Sequence, residues 1–154
     1  MINFANGFIK KGYGVASGKS KDKRFPNGTL SMQMPFFIHQ GLDLKDFFPG
    51  TLNVSLPKHS YFLGTAKYFF PLVKWSLTLP AENFSFFPCT LQLVSQKEKY
   101  DSLIYWPHPS TKPEFFQDPN ILEIIAPEID NIRYGDEVKI FAEPESVIFS
   151  PLLD

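Results

Sequence analysis

The sequence predicts a mostly β protein: a single small closed β-barrel with little helix. Three observations carry this expectation. Short runs alternate apolar and polar residues, most clearly in "TLNVSLP", "WSLTLP" and "TLQLVS". Turn chemistry separates the runs, in "FPNG" at Phe25–Gly28, "FFPG" at Phe47–Gly50 and "RYGDE" at Arg133–Glu137. The chain also holds 14 prolines and 9 glycines, which disfavour long helices and suit many short strands.

Element by element, strands are predicted near residues 8–16, 29–35, 51–56, 60–65, 72–79, 86–95, 100–106, 120–126 and 136–142. The best helical stretch is Phe36–Phe48, where "FFIHQGLDLKDFF" spaces its apolar residues irregularly and Gly41 interrupts. A short helical turn fits Pro127–Tyr134. No internal repeat or linker divides the 154 residues, so one domain is expected, with residues 143–154 as a loosely packed acidic tail.

Composition then bounds function. A formal net charge of −1 provides no basic field for a nucleic acid. The single cysteine, Cys89, excludes an internal disulfide and reads as a buried, inert thiol. His39, His59 and His108 lack ligand-spaced partners and read as surface or pocket-rim residues. Neither a signal-peptide run nor a membrane-length apolar stretch is visible, which predicts a cytoplasmic protein without a membrane partner.

Two stretches stand apart from ordinary strand-and-turn chemistry. "SGKSKDKRFPNG", Ser17–Gly28, gathers Lys19, Lys21, Lys23 and Arg24 between two glycines without apolar periodicity. It reads plainly as a solvated loop, or as a loop facing phosphate, since Lys and Gly-flanked N–H groups favour anions. Its "GKS" lacks the upstream glycine of a Walker loop. "PGTLNV", Pro49–Val54, turns tightly into a strand that places Thr51 and Asn53 on one side, ~6–7 Å apart.

"PGTLNV" resembles the signature of the archaeal CTP-dependent riboflavin kinases, a family of cradle-loop β-barrels. Other stretches agree in order and spacing. "GVASG" at Gly14–Gly18 resembles the family's first strand and Ser-Gly turn. "SMQMPFFIHQGLDLKDFFPGTLNV" resembles its next strand, connecting segment and signature. "IYWPHPSTKP" sits where the family has an apolar strand ending in Pro and a polar segment with Thr. "NILEIIAPEIDNIRYGDEVKI" is similar to its C-terminal strands and Gly-Asp turn. The likeness runs from about residue 12 to 141; "PGTLNV" and "LEIIAP" are its specific parts.

The resemblance implies transfer of a phosphoryl group from CTP to riboflavin, giving FMN, with Mg²⁺. It implies that Thr51 and Asn53 hold the metal, and that Ser17, Gly18, Lys19 and Lys21 hold the nucleotide. Trp106, His108 and Thr111 would contact the flavin, and Phe115 and Phe116 would also contact it; Phe86 and Phe87 read as core. Glu123 of "LEIIAP" is the candidate base, and otherwise an outward-facing strand residue. Mg²⁺ takes hard oxygen donors, which a Thr hydroxyl and an Asn carbonyl supply.

The chain departs from the family around this site. Lys19–Asn27 replaces a short glycine-rich loop, and Pro35, Phe36 and Phe37 replace a more polar segment. Extra residues, Pro109, Pro113 and Pro119 among them, lie between Pro107 and Asn120. Two alternatives therefore stand beside the kinase: a non-catalytic flavin-, nucleotide- or small-ligand-binding barrel, and a structural or protein-interaction domain.

Overall fold

The computed structural model of the chain describes residues 2–10, 29–108 and 120–152. Its strands are β1 (Asn3–Lys10), β2 (Leu52–Ser55), β3 (His59–Leu63), β4 (Tyr68–Val73), β5 (Glu82–Leu93), β6 (Tyr100–Pro107), β7 (Ile121–Ile125), β8 (Glu137–Ala142) and β9 (Val147–Pro151). A helix, α1 (Thr29–His39), connects β1 to β2. A seven-stranded antiparallel sheet runs β4-β5-β6-β7-β2-β1-β8, and β8 pairs again with β5. The sheet therefore curls into a ring. β3 and β9 form a separate two-stranded ribbon.

Strand alternation sorts the apolar residues into two cores. The first fills the ring, with Ala5, Ile9, Val54, Leu91, Ile104, Leu122, Ile124, Val138 and Ile140 among its members. The second lies outside the ring, where α1, β4 and the segment after α1 cover the outer face of β5, β6 and β7. It holds Leu30, Phe37, Leu44, Phe70, Phe84, Phe86, Tyr105 and Ile125. Phe86 and Phe87 are adjacent on β5 and feed opposite cores. That explains why "FSFFPC" reads as a continuous apolar run: a strand buried on both faces has no polar side to alternate with.

Pro88 breaks the rule that keeps proline out of strand interiors, and the topology explains it. β4 pairs with β5 from Glu82 to Phe86, and β8 pairs with it from Thr90 to Leu93. Pro88 falls at the seam between them. Its carbonyl accepts the Ser146 hydroxyl at 2.7 Å, so this side of the residue faces the gap. An N–H there would have no strand to pair with, and proline has none to lose.

The segment expected as a strand at 29–35 is the helix. Leu30, Met32 and Met34 alternate, but the positions that become buried are Leu30, Gln33 and Phe37, a helical spacing. Pro35 lies inside α1 and costs about 3 kcal/mol there. Full burial of Leu30 and Phe37 offsets it, at about 1.5–3 kcal/mol each. Phe37 meets Phe84 and Phe86 edge-on, with ring centroids 5.0 and 5.1 Å away. The helix predicted over Phe36–Phe48 does not continue past His39. Gly41, at φ 106°, ends it. The Gly41 N–H donates to the Ile38 carbonyl and the Leu42 N–H to that of Phe37, the paired bonds of a glycine C-cap.

Three further expectations change. Residues 74–79 lie outside the sheet, and there the Trp75 indole donates to the Glu82 carboxylate at 2.5 Å. Pro127–Tyr134 contains turns rather than a helix. The segment expected as a loose tail, 143–154, is packed as far as residue 151: β9 pairs with β3, and its Val147 and Phe149 are buried in the ring core, while residues 153–154 lie outside the described residues. The predicted strand at 8–16 overlaps β1, and residues 11–16 lie outside the described residues. No helix among the described residues is long and apolar enough to cross a membrane.

Gly7 marks the tightest approach in the ring. A Cβ there would sit 2.5 Å from the Ser55 carbonyl oxygen and 2.6 Å from a Val54 methyl. Both neighbours belong to β2, which is held on its other edge by β7. Gly7→Ala is expected to destabilise the fold by about 1–3 kcal/mol, the range for overpacking, measured by urea denaturation with an unchanged m-value.

Candidate functional site

The site starts at a turn. The Gly50 N–H donates to the Phe48 carbonyl at 2.9 Å, and the Phe48 N–H donates to the Ala126 carbonyl at 3.0 Å. The turn before β2 is thus tied to the end of β7. Register follows: Leu52 faces Ile124, and Asn53 faces Glu123. Leu52, Val54, Leu122 and Ile124 turn into the ring core. Alternation leaves Thr51, Asn53 and Glu123 together on the outer face, all half-buried. The Thr51 hydroxyl donates to Glu123 Oε1 at 3.1 Å. Two segments far apart in the chain therefore build one polar cluster of a hydroxyl, an amide and a carboxylate.

Two tyrosines sense this carboxylate. Tyr61 of β3 has its phenol pushed above the usual range, first by burial and then by the charge of Glu123. Tyr105 of β6 is pushed well above it, by burial first, then by Glu123 and Glu82. Its hydroxyl donates to Gln33 Oε1 at 2.7 Å, which partly opposes the shift. On β6, Leu103 faces Ile125 and Ile104 faces Ile124. The next rung places Tyr105 beside Glu123 on the outer face.

The other expected site residues lie elsewhere. Trp106 packs against the ring core, on the opposite side of β6 from Tyr105. His108 lies at the end of β6, with its Nε2 3.5 Å from the Ser85 hydroxyl and its ring centroid 6.0 Å from that of Phe69. Trp106 faces Ser85 across β5 and β6. Trp106 and His108 therefore gather around Ser85, and Thr51, Asn53 and Glu123 gather on the other face. Ser17, Gly18, Lys19, Lys21, Thr111, Phe115 and Phe116 lie outside the described residues.

Sequence reasoning missed Gln33, Tyr61 and Tyr105. Tyr105 stands beside Trp106 in "IYWP", and nothing local says which of the two shares a face with Glu123. Only the β6–β7 register decides it. Among the described residues no group of three His, Cys, Asp or Glu side chains is placed to hold a metal ion. The oxygen donors on hand are those of Thr51, Asn53 and Glu123. No protein-family model matches the chain, and no curated protein matches it either.

The raised phenols set an alkaline limit on stability. Above pH 10.0, the ordinary tyrosine value, the unfolded chain loses the Tyr105 proton that the folded chain keeps. Stability is fully present below that pH and falls as pH rises towards the folded value. Cys89, pushed up from 9.0 to about 12 by burial, acts with the same sign. Tyr105→Phe is expected to reduce the loss of stability above pH 10.0, read from urea midpoints at increasing pH.

Proposed function

We propose that the chain is a phosphotransferase of the riboflavin-kinase type, moving a phosphoryl group from a nucleoside triphosphate to a hydroxyl of riboflavin. The observation that carries this reading is the Thr51–Glu123 contact at 3.1 Å, with Asn53 opposite Glu123. "PGTLNV" and "LEIIAP", the two specific parts of the resemblance, meet rung to rung in the fold. The curled sheet, read as a closed barrel of the cradle-loop kind, is consistent with the same family.

The cluster fits Mg²⁺. The ion takes few protein ligands, keeps several waters, and prefers neutral oxygens and one or two carboxylates. Thr51 and Asn53 would hold it, with Glu123 alongside. When bound, the ion neutralises charge on the phosphates. The protein's part is then positioning. Thr51 and Asn53 are fixed by the β2–β7 rungs and by the Phe48–Ala126 tie. Glu123, half-buried and held at one oxygen by Thr51, would take the proton of the attacking hydroxyl in this reading. CTP as donor, and the nucleotide roles of Ser17, Gly18, Lys19 and Lys21, come from the resemblance alone. So do the flavin roles of Trp106, His108 and Thr111.

Calorimetric titration with riboflavin and FMN, then with CTP and ATP, each with and without Mg²⁺, tests the proposal. Flavin binding together with Mg²⁺-dependent nucleotide binding, followed by FMN formation, is the expected result. Binding without turnover would make the chain a ligand-binding module instead, and binding of neither would remove the kinase reading. The double variant Thr51→Ala, Asn53→Ala is expected to abolish Mg²⁺-dependent nucleotide binding while the far-ultraviolet circular dichroism stays unchanged. Glu123→Gln is expected to lower kcat by about 10²–10⁴-fold, the range for loss of a general base, with little change in ligand affinity. Equal rates would return Glu123 to an ordinary outward-facing strand residue.

A further inference from the structure

β1 brings a cation to the polar cluster. Ile9 turns into the ring core, so alternation sends Lys10 to the outer face, where it is exposed. Lys10 faces Asn53 across β1 and β2, and Asn53 faces Glu123 across β2 and β7. One rung of the sheet thus runs Lys10, Asn53, Glu123. Side chains directly opposite in an antiparallel pair stand about 4.5–5.5 Å apart at Cβ, and lysine adds a flexible four-carbon stem. The backbone at this end of β1 is held on both edges. β2 takes one of them. On the other, the Ile9 N–H donates to the Asp136 carbonyl at 2.9 Å, and the Gly135 N–H donates to the Ile9 carbonyl at 2.7 Å. The turn of "RYGDE" therefore fixes the strand end that carries Lys10.

We propose that Lys10 binds the phosphate chain of the nucleotide at the β1 side of the cluster. The proposal deepens the kinase reading and rests on it. A phosphate chain beside Thr51 and Asn53 also lies close to the Glu123 carboxylate, and charges of one sign repel. The amide of Asn53 offers an oxygen to a metal but brings no charge. The lysine ammonium does: it is a compact point charge with three donors, and a common phosphate ligand. With Lys10 on one flank of Asn53 and Glu123 on the other, the rung is polarised. The phosphates are drawn towards β1, and the acceptor hydroxyl is left to the β7 side, where Glu123 stands. The likeness to the kinases begins near residue 12 and does not reach Lys10; the β1–β2 register carries this assignment. Lys19 and Lys21 lie outside the described residues, and nothing in it depends on them.

Calorimetric titration of the full-length protein with CTP, ATP and inorganic tripolyphosphate, each with Mg²⁺, tests the proposal. Tripolyphosphate carries the phosphate chain without a base. Lys10→Met is expected to weaken whichever of these the wild type binds by about tenfold or more, as for loss of a charged hydrogen bond. The urea midpoint without ligand should stay unchanged, because Lys10 is exposed. Lys10→Arg, which keeps the charge, should recover most of the affinity. The same substitution in a Glu123→Gln background separates phosphate contact from charge balance. A loss that persists there supports the contact; a loss that vanishes means that Lys10 only offsets Glu123, and overturns the proposal. Wild-type affinity in Lys10→Met overturns it too, and leaves the kinase reading standing. Binding of tripolyphosphate but of neither nucleotide removes the kinase reading, and a loss in Lys10→Met then still makes Lys10 a phosphate ligand. Binding of none of the three overturns both.

Discussion

The pairing of β5 with β8 is the contact on which the rest of the structure depends. It joins the last strand of the sheet order back to an interior strand and curls the sheet into a ring. Without it, the ring core from Ala5 to Phe149 would have one wall missing. The pairing is possible because β5 is 12 residues long and divides one edge between two partners. β4 takes the first part, β8 takes the last, and Pro88 fills the seam with a residue that needs no partner for its nitrogen. Ser146, just before β9, closes the same seam by donating to the Pro88 carbonyl.

Curling also creates the environment of the polar cluster. A ring buries its inner face and leaves its outer face to be covered or wet. Here α1 and β4 cover the outer face over β5, β6 and part of β7, and Tyr105 and Ile125 lie beneath that cover. Thr51, Asn53 and Glu123 are on the same outer face and only half-buried. A carboxylate in this position stays reachable while lying close to a core that raises the phenols beside it. Gln33, a fully buried polar side chain of α1, lies in that covering layer and bonds to Tyr105.

Much of the framework was legible along the chain because it rests on local chemistry. The strands at 51–56, 100–106, 120–126 and 136–142 announce themselves by alternation or by a bounded apolar run, and they match β2, β6, β7 and β8 closely. The misreadings have particular causes. α1 hid behind the alternation of Leu30, Met32 and Met34, which is equally compatible with a strand until a tertiary surface selects Leu30, Gln33 and Phe37 for burial. β9 looked like a tail because Pro144, Glu143 and Glu145 precede it, and its apolar residues become meaningful only beside β3. Thr51 and Asn53 were visible as a pair because both belong to one strand. Their meeting with Glu123 was not visible, because it depends on which strands are neighbours.

By itself, the sequence determined that this is a β-rich chain cut by turns, with one thiol, no strong charge, and Thr51, Asn53 and Glu123 worth attention. These properties follow from side-chain chemistry and from the two-residue period of a strand, which need no knowledge of the partner. Only the tertiary structure decided that Glu123 shares a rung with Asn53, that Trp106 turns to the ring core while Tyr105 does not, and that Gln33 takes the Tyr105 hydroxyl. The reason is register. A shift of one residue between β6 and β7 would exchange the two faces, and what sets that register is the packing of the whole ring rather than any stretch of the chain.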